Sequence, residues 1–126
     1  MTARDGETRS RAWIGAYGEK VAADFLRAHH CRILARNFSG PRGGEVDIVA
    51  RQGGLLLFVE VKTRTDGARI RPLDAVDKSK QKLIERGANA WLKRLGTRKL
   101  PWRFDVIEVW LADGGKPRVN HVRDAF

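Results

Sequence analysis

Two runs in the middle of the chain alternate apolar and polar side chains with a period of two. Glu45 to Arg51 sets Val46, Ile48 and Ala50 on one face and Glu45, Asp47 and Val49 on the other. Leu55 to Lys62 sets Leu55, Leu57, Val59 and Val61 against Leu56, Phe58, Glu60 and Lys62. Gly53-Gly54 between them suits a two-residue turn, because both residues tolerate positive φ. That turn predicts a hairpin pairing Val46 with Val61, Ile48 with Val59 and Ala50 with Leu57 on one unbroken apolar face. On the other face it pairs Val49 with Phe58, Asp47 with Glu60 and Glu45 with Lys62. A four-residue turn over Arg51–Gly54 would instead pair Asp47 with Phe58. Apolar residues on both faces mark interior strands.

A helical period flanks the hairpin on both sides. Trp13 to His29 reads as a helix with Ile14, Gly18, Val21, Ala22 and Phe25 on its apolar stripe, and Lys20, Asp24 and Arg27 clustered opposite. Glu19 falls at the edge of the stripe, where it either reaches the sheet or stays a solvated flank residue. Gly15 and Gly18 each cost up to about 1 kcal/mol against Ala inside a helix. They are tolerated where a helix packs closely on a sheet or lets a nucleic-acid backbone approach. Cys31 to Phe38 reads as the first strand, Ser39–Gly44 as a turn carrying Pro41 and Arg42, and Thr65–Pro72 as a loop carrying Arg69 and Arg71 near Arg64. The second helix begins at Leu73 or Ser79 and runs to Leu95 before Gly96. Its shared face holds Lys80, Leu83, Ile84, Gly87, Trp91 and Leu95. Trp91 belongs to the core. Lys80 either points at the sheet or snorkels past the helix end. Trp102 to Leu111 is a strand apolar on both faces, with Asp105 as a structural partner for an arginine. Asp113–Gly115 is a turn, and Pro117 to Val122 a short edge strand. This order predicts an α/β domain, a mixed sheet flanked by helices, spanning 13–126. Residues 1–12 are polar and read as a mobile basic arm.

Composition narrows the function. The 126 residues suffice for one domain with a real core. A formal charge of +10, from 25 Lys+Arg against 15 Asp+Glu, favours polyanionic partners, DNA first and RNA not excluded. One cysteine, Cys31, excludes an intrachain disulfide and fits a cytoplasmic setting. No apolar run approaches the roughly 20 residues of a membrane span, and the start has no apolar signal core. His29, His30 and Cys31 lack zinc-ligand spacing.

The hairpin register carries the chemistry. Opposed carboxylates at Asp47 and Glu60 would stand about 4.5–5.5 Å apart, which is destabilising. Burying both is costly unless a cation lies between them or one holds a proton. With Lys62 two residues further on, the cluster is either a divalent-metal site or a salt-bridged surface face.

Asp47 followed by Glu60-Val61-Lys62 resembles the PD-(D/E)XK nuclease motif. Gly15-Ala16-Tyr17-Gly18-Glu19, Arg36-Asn37-Phe38, Gly44-Glu45-Val46-Asp47, Phe58-Val59-Glu60-Val61-Lys62-Thr63-Arg64, Ala75-Val76-Asp77 and Arg103-Phe104-Asp105-Val106 resemble the YraN-like (UPF0102) family. Those proteins are similar to archaeal Holliday-junction resolvases. The resemblance implies a restriction-endonuclease-like fold and a Mg²⁺ or Mn²⁺ site built from Asp47 and Glu60, helped by Glu19 and the Val61 carbonyl. Lys62 would orient water or stabilise developing charge, with Glu45 supporting it. Arg42, Arg64, Arg69, Arg71, Lys78 and Lys80 would grip nucleic-acid phosphates. Resolvase analogues act on branched DNA as homodimers. The alternative expectation is a non-catalytic nucleic-acid-binding or repair-accessory protein that keeps the fold.

Overall fold

The computed structural model describes residues 9–65, 76–112 and 114–126. Its elements run α1 (Arg11–Ala28), β1 (Arg32–Ser39), a 3₁₀ turn (Pro41–Gly43), β2 (Glu45–Gln52), β3 (Leu55–Thr65), α2 (Lys78–Leu95), β4 (Trp102–Leu111) and β5 (Arg118–Val122). The five strands lie in sequence order. Every neighbouring pair is antiparallel except β3 and β4, which run parallel on either side of the α2 connection. The result is the mixed α/β sheet flanked by two helices that the sequence order predicts, consistent with a resolvase-like fold.

The hairpin closes on the two-residue turn. Gln52 pairs with Leu55, Ala50 with Leu57 and Ile48 with Val59, and Gly53 takes a positive φ of 58°. The four-residue alternative is thereby excluded. β3 runs three residues past Lys62, because its parallel ladder with β4 continues to Thr65 opposite Leu111.

Each sheet face buries one helix. Ala22, Ala23 and Leu26 of α1 pack with Ile48, Ala50, Leu57, Val59, Ile107 and Val109. Ile84, Ala88 and Leu92 of α2 pack with Val46, Val49, Leu56, Phe58 and Val106. Val46 thus lies on the opposite face from Ile48 and Ala50, so the expected unbroken apolar face is broken. On β1, Phe38 pairs with Val46 and shares its face, while Arg36 pairs with Ile48 and reaches α1. Asn37 between them takes φ 51°, which reverses the alternation at the level of Asp47.

Helix boundaries follow their caps. Ser10 accepts the Trp13 N–H at 3.1 Å, so α1 starts at Arg11 rather than Trp13 and takes in the end of the expected arm. Residues 1–8 of that arm lie outside the described residues. Asp77 accepts the Lys80 N–H at 2.9 Å and fixes the start of α2 at Lys78, between the two expected starts. Gly96 ends α2 with φ 80°. The buried stripe of α2 runs through Ala88 and Leu92, whereas Leu95 is 45% exposed. Trp91 is partly buried and meets Phe38 edge to face. β1 begins one residue after Cys31, which is buried.

Candidate active site

Two close approaches of helix to sheet set the site. A Cβ on Gly18 would overlap the Thr63 side chain, so the bare glycine lets α1 lie against β3. A Cβ on Gly87 would meet the Glu45 backbone at 2.8 Å, and one on Gly44 would meet the Gly87 nitrogen at 2.6 Å. This draws α2 against the start of β2. The first approach delivers Glu19 to the sheet and the second delivers Lys80.

Between α1 and the sheet lies an open cleft of about 870 Å³. Its lining includes Glu19 from α1, Arg36 and Asn37 from β1, Asp47 from β2, and Glu60 to Thr65 from β3. Asp47 lies one residue beyond the last β2–β3 ladder pair, Ile48 with Val59, and its charge acts on Glu60. Its Oδ2 accepts the Val61 backbone N–H at 2.8 Å, replacing the next main-chain bond and forking the two strands.

Glu60 is only 3% exposed. Its Oε1 lies 3.5 Å from Lys62 Nζ and 3.6 Å from Lys80 Nζ. Its Oε2 is buried without a hydrogen-bond partner. Burial, then the neighbouring Asp47 charge, pushes the Glu60 pKa up to about 7, against the pull of the two lysines. Glu19 is held at 3.1 Å by Arg36 Nε. Burial raises its pKa too, the Arg36 bond and charge working in opposition and Asp47 adding to the rise.

Glu45 departs from expectation. Its partner is Lys80, at 2.6 Å, while Lys62 turns to Glu60. The helix α2 brings a second cation to the fork from the face opposite α1, and Glu45 anchors that cation. Burial disfavours the Lys80 charge, but the Glu45 bond and the Glu60, Glu45 and Asp47 charges outweigh it and raise its pKa.

Of the expected nucleic-acid contacts, Arg64 lines the cleft. Lys80 reaches the acids from α2. Arg42 and Lys78 are exposed away from the cleft lining, and Arg42 offers its carbonyl to Arg86 at 2.8 Å. Arg69 and Arg71 lie outside the described residues. Among the described residues no three His, Cys, Asp or Glu side chains converge as a ready metal cage, and Glu19 is engaged by Arg36. The donor set that is present is Asp47 and Glu60, all oxygen, with one Glu60 oxygen unsatisfied. An orphaned buried carboxylate beside a second acid suits a hard divalent cation.

Sequence reasoning gave no role to Arg36, Asn37 or Glu108. Glu108 is 1% exposed and accepts the Asn120 amide at 2.6 Å. It stands beside Lys62 on β4, and its place in the alternation with Phe104 and Val106 was a readable signal. Asp105 is fully buried and structural. Arg103 grips it at 2.8 and 3.1 Å, His121 lies at 2.7 Å, and the Asp124 N–H donates at 3.0 Å. Burial alone would raise its pKa, but these bonds outweigh burial and hold it low.

No helix among the described residues is long and apolar enough to cross a membrane. The model of the uncharacterised protein family UPF0102 matches residues 18–109. A UPF0102 protein of Trichlorobacter lovleyi is 47% identical over 114 residues, covering 90% of this chain and 89% of its own. One of Symbiobacterium thermophilum is 44% identical, covering 90% and 95%. One of Geobacter sulfurreducens is 46% identical, covering 90% and 88%.

Proposed function

We propose that this chain, which belongs to the uncharacterised protein family UPF0102, is a metal-dependent endonuclease-like protein that hydrolyses DNA phosphodiesters. Branched DNA is the substrate suggested by analogy with resolvases. The observation that carries the reading is the buried, unpartnered Oε2 of Glu60 beside Asp47, in a cleft walled by Arg36, Lys62 and Arg64. Asp47 and Glu60 would hold Mg²⁺ or Mn²⁺, with the Val61 carbonyl and a released Glu19 as further oxygen donors. When bound, such an ion offsets phosphate charge and lowers the pKa of water. Lys62 supplies a cation 3.5 Å from Glu60, placed to stabilise charge developing on the phosphate. Lys80 and Glu45 hold the other side of Glu60, fixing its carboxylate. Arg64 at the cleft wall takes flanking phosphates.

The second reading is a nucleic-acid-binding protein without cleavage. The Arg36–Glu19 ion pair favours it, since it occupies a carboxylate that metal binding would need. One experiment separates the two. Branched, flapped and linear DNA are incubated with Mg²⁺, Mn²⁺ or EDTA. Metal-dependent cleavage that falls roughly 10²-fold or more in Lys62→Ala supports the enzyme. Binding without cleavage on every substrate supports the second reading.

A further inference from the structure

Helix α1 carries two interior glycines, and packing explains only one. Gly18 makes room for Thr63, but Gly15 has nothing within 4 Å of the place its Cβ would take. Glycine is the least favourable residue inside a helix after proline, so Gly15 weakens α1 without a packing return. It is exposed and lines the cleft one turn before Glu19, between Ala12 and Ala16, which are also exposed and also line it. Little more than one turn of helix, Ala12 to Ala16, therefore presents small side chains or bare backbone to the cleft on one face, with Arg11 and Ile14 beside it.

Three further observations point to an anionic occupant that brings a cation with it. Glu60, buried and with Oε2 unpartnered, lines the same cleft. Arg11, Arg36, Lys62 and Arg64 line it as well. The first turn of α1 has no acidic side chain, so its positive dipole end is uncompensated.

We infer that the Ala12–Gly15–Ala16 face of α1 is a binding wall for the sugar-phosphate backbone of the strand in the cleft. This rests on the reading that the cleft takes DNA. The backbone lies against the helix because Gly15 has no side chain, and Arg11, at the start of the same helix and also lining the cleft, takes a flanking phosphate. Any side chain at position 15 stands in its path.

The test uses the full chain with Gly15→Ala and Gly15→Leu. The probes are a fluorescein-labelled four-way DNA junction and a labelled single strand, read by anisotropy in EDTA so that neither is cut. Melting temperature and Mn²⁺ affinity by calorimetry are measured alongside. The melting temperature of Gly15→Ala rises by a few degrees, as an unstrained helix substitution should. Mn²⁺ affinity stays within about twofold, while DNA affinity falls roughly tenfold in Gly15→Ala and further in Gly15→Leu. Normal DNA affinity in both variants overturns the wall and leaves the DNA reading intact. A fall in melting temperature that parallels lost binding also overturns it, since position 15 would then act through the fold. Failure of the unaltered chain to bind either probe overturns the DNA reading and the wall with it.

Discussion

Asp47 Oδ2 accepts the backbone N–H of Val61 at 2.8 Å. A side chain here takes a bond that a main-chain carbonyl would make in a continued ladder. The two central strands separate at that point, and Glu60 is left in the fork with one oxygen unpartnered. The same carboxylate that ends the ladder places a negative charge beside Glu60. Local backbone geometry and site electrostatics thus share one cause.

Metal-free stability should depend on pH through Glu60. Its ordinary pKa of 4.5 rises to about 7 in the fold. The protonated form is the one the fold favours, so this group's contribution is complete below pH 4.5. It is lost as pH climbs to about 7, with no further loss above that. The loss is at most on the order of 3 kcal/mol. Glu19 shifts in the same direction. Asp105 works oppositely: its stabilisation is full above its ordinary value of 3.8 and fades as pH falls through its lower folded value. Urea denaturation in EDTA from pH 4.5 to 8 should show the decline in the unaltered chain and a flatter profile in Glu60→Gln. Parallel profiles would contradict a contribution of Glu60 to this pH dependence.

DNA binding should be dominated by phosphate contacts, given the charge of +10 and the cations at the cleft. If about six phosphates are engaged, affinity falls roughly 10³-fold between 50 and 200 mM salt. Anisotropy across that range is the check, and a flat titration contradicts it.

Gly18→Ala should destabilise the chain by about 1–3 kcal/mol, because the new methyl overlaps Thr63 and pushes α1 off β3. Adding Thr63→Ala restores only part of this, since the remaining Cβ still lies 2.7 Å from the new methyl. Thermal melts of the single and double variants measure both effects. A neutral Gly18→Ala would mean that α1 is not held where the site requires.

Much of the sheet was legible in the sequence. The Gly53-Gly54 turn fixes the register from Gln52–Leu55 to Ile48–Val59, and just beyond its last pair the Asp47 charge acts on Glu60. The apolar strand at Trp102–Leu111 reads directly from its composition. What could not be read are events that periodicity does not encode. At Asn37, with its positive φ, the alternation on β1 reverses, and Phe38 and its partner Val46 both lie on the α2 side. The Arg36–Glu19 and Lys80–Glu45 pairs join residues 17 and 35 positions apart, brought together only by helix docking. Lys62 was expected to meet Glu45 across the hairpin. The strands fork before that point, so each found a different partner.

The proposed metal site sets the half-buried Asp47 beside the buried Glu60. Four melting curves at pH 7.5 test it most directly: the unaltered chain and Glu60→Gln, each in EDTA and in Mn²⁺. The raised pKa means the fold prefers a neutral group at position 60, so in EDTA the Gln variant should be as stable or more stable, by about 1 kcal/mol. In Mn²⁺ the order should reverse. The unaltered chain gains about 2.7 kcal/mol at 100 times its dissociation constant, and the variant gains much less. If the variant is less stable in EDTA and both proteins respond equally to Mn²⁺, Glu60 is a structural ion-pair partner of Lys62 and Lys80, and the metal site is refuted.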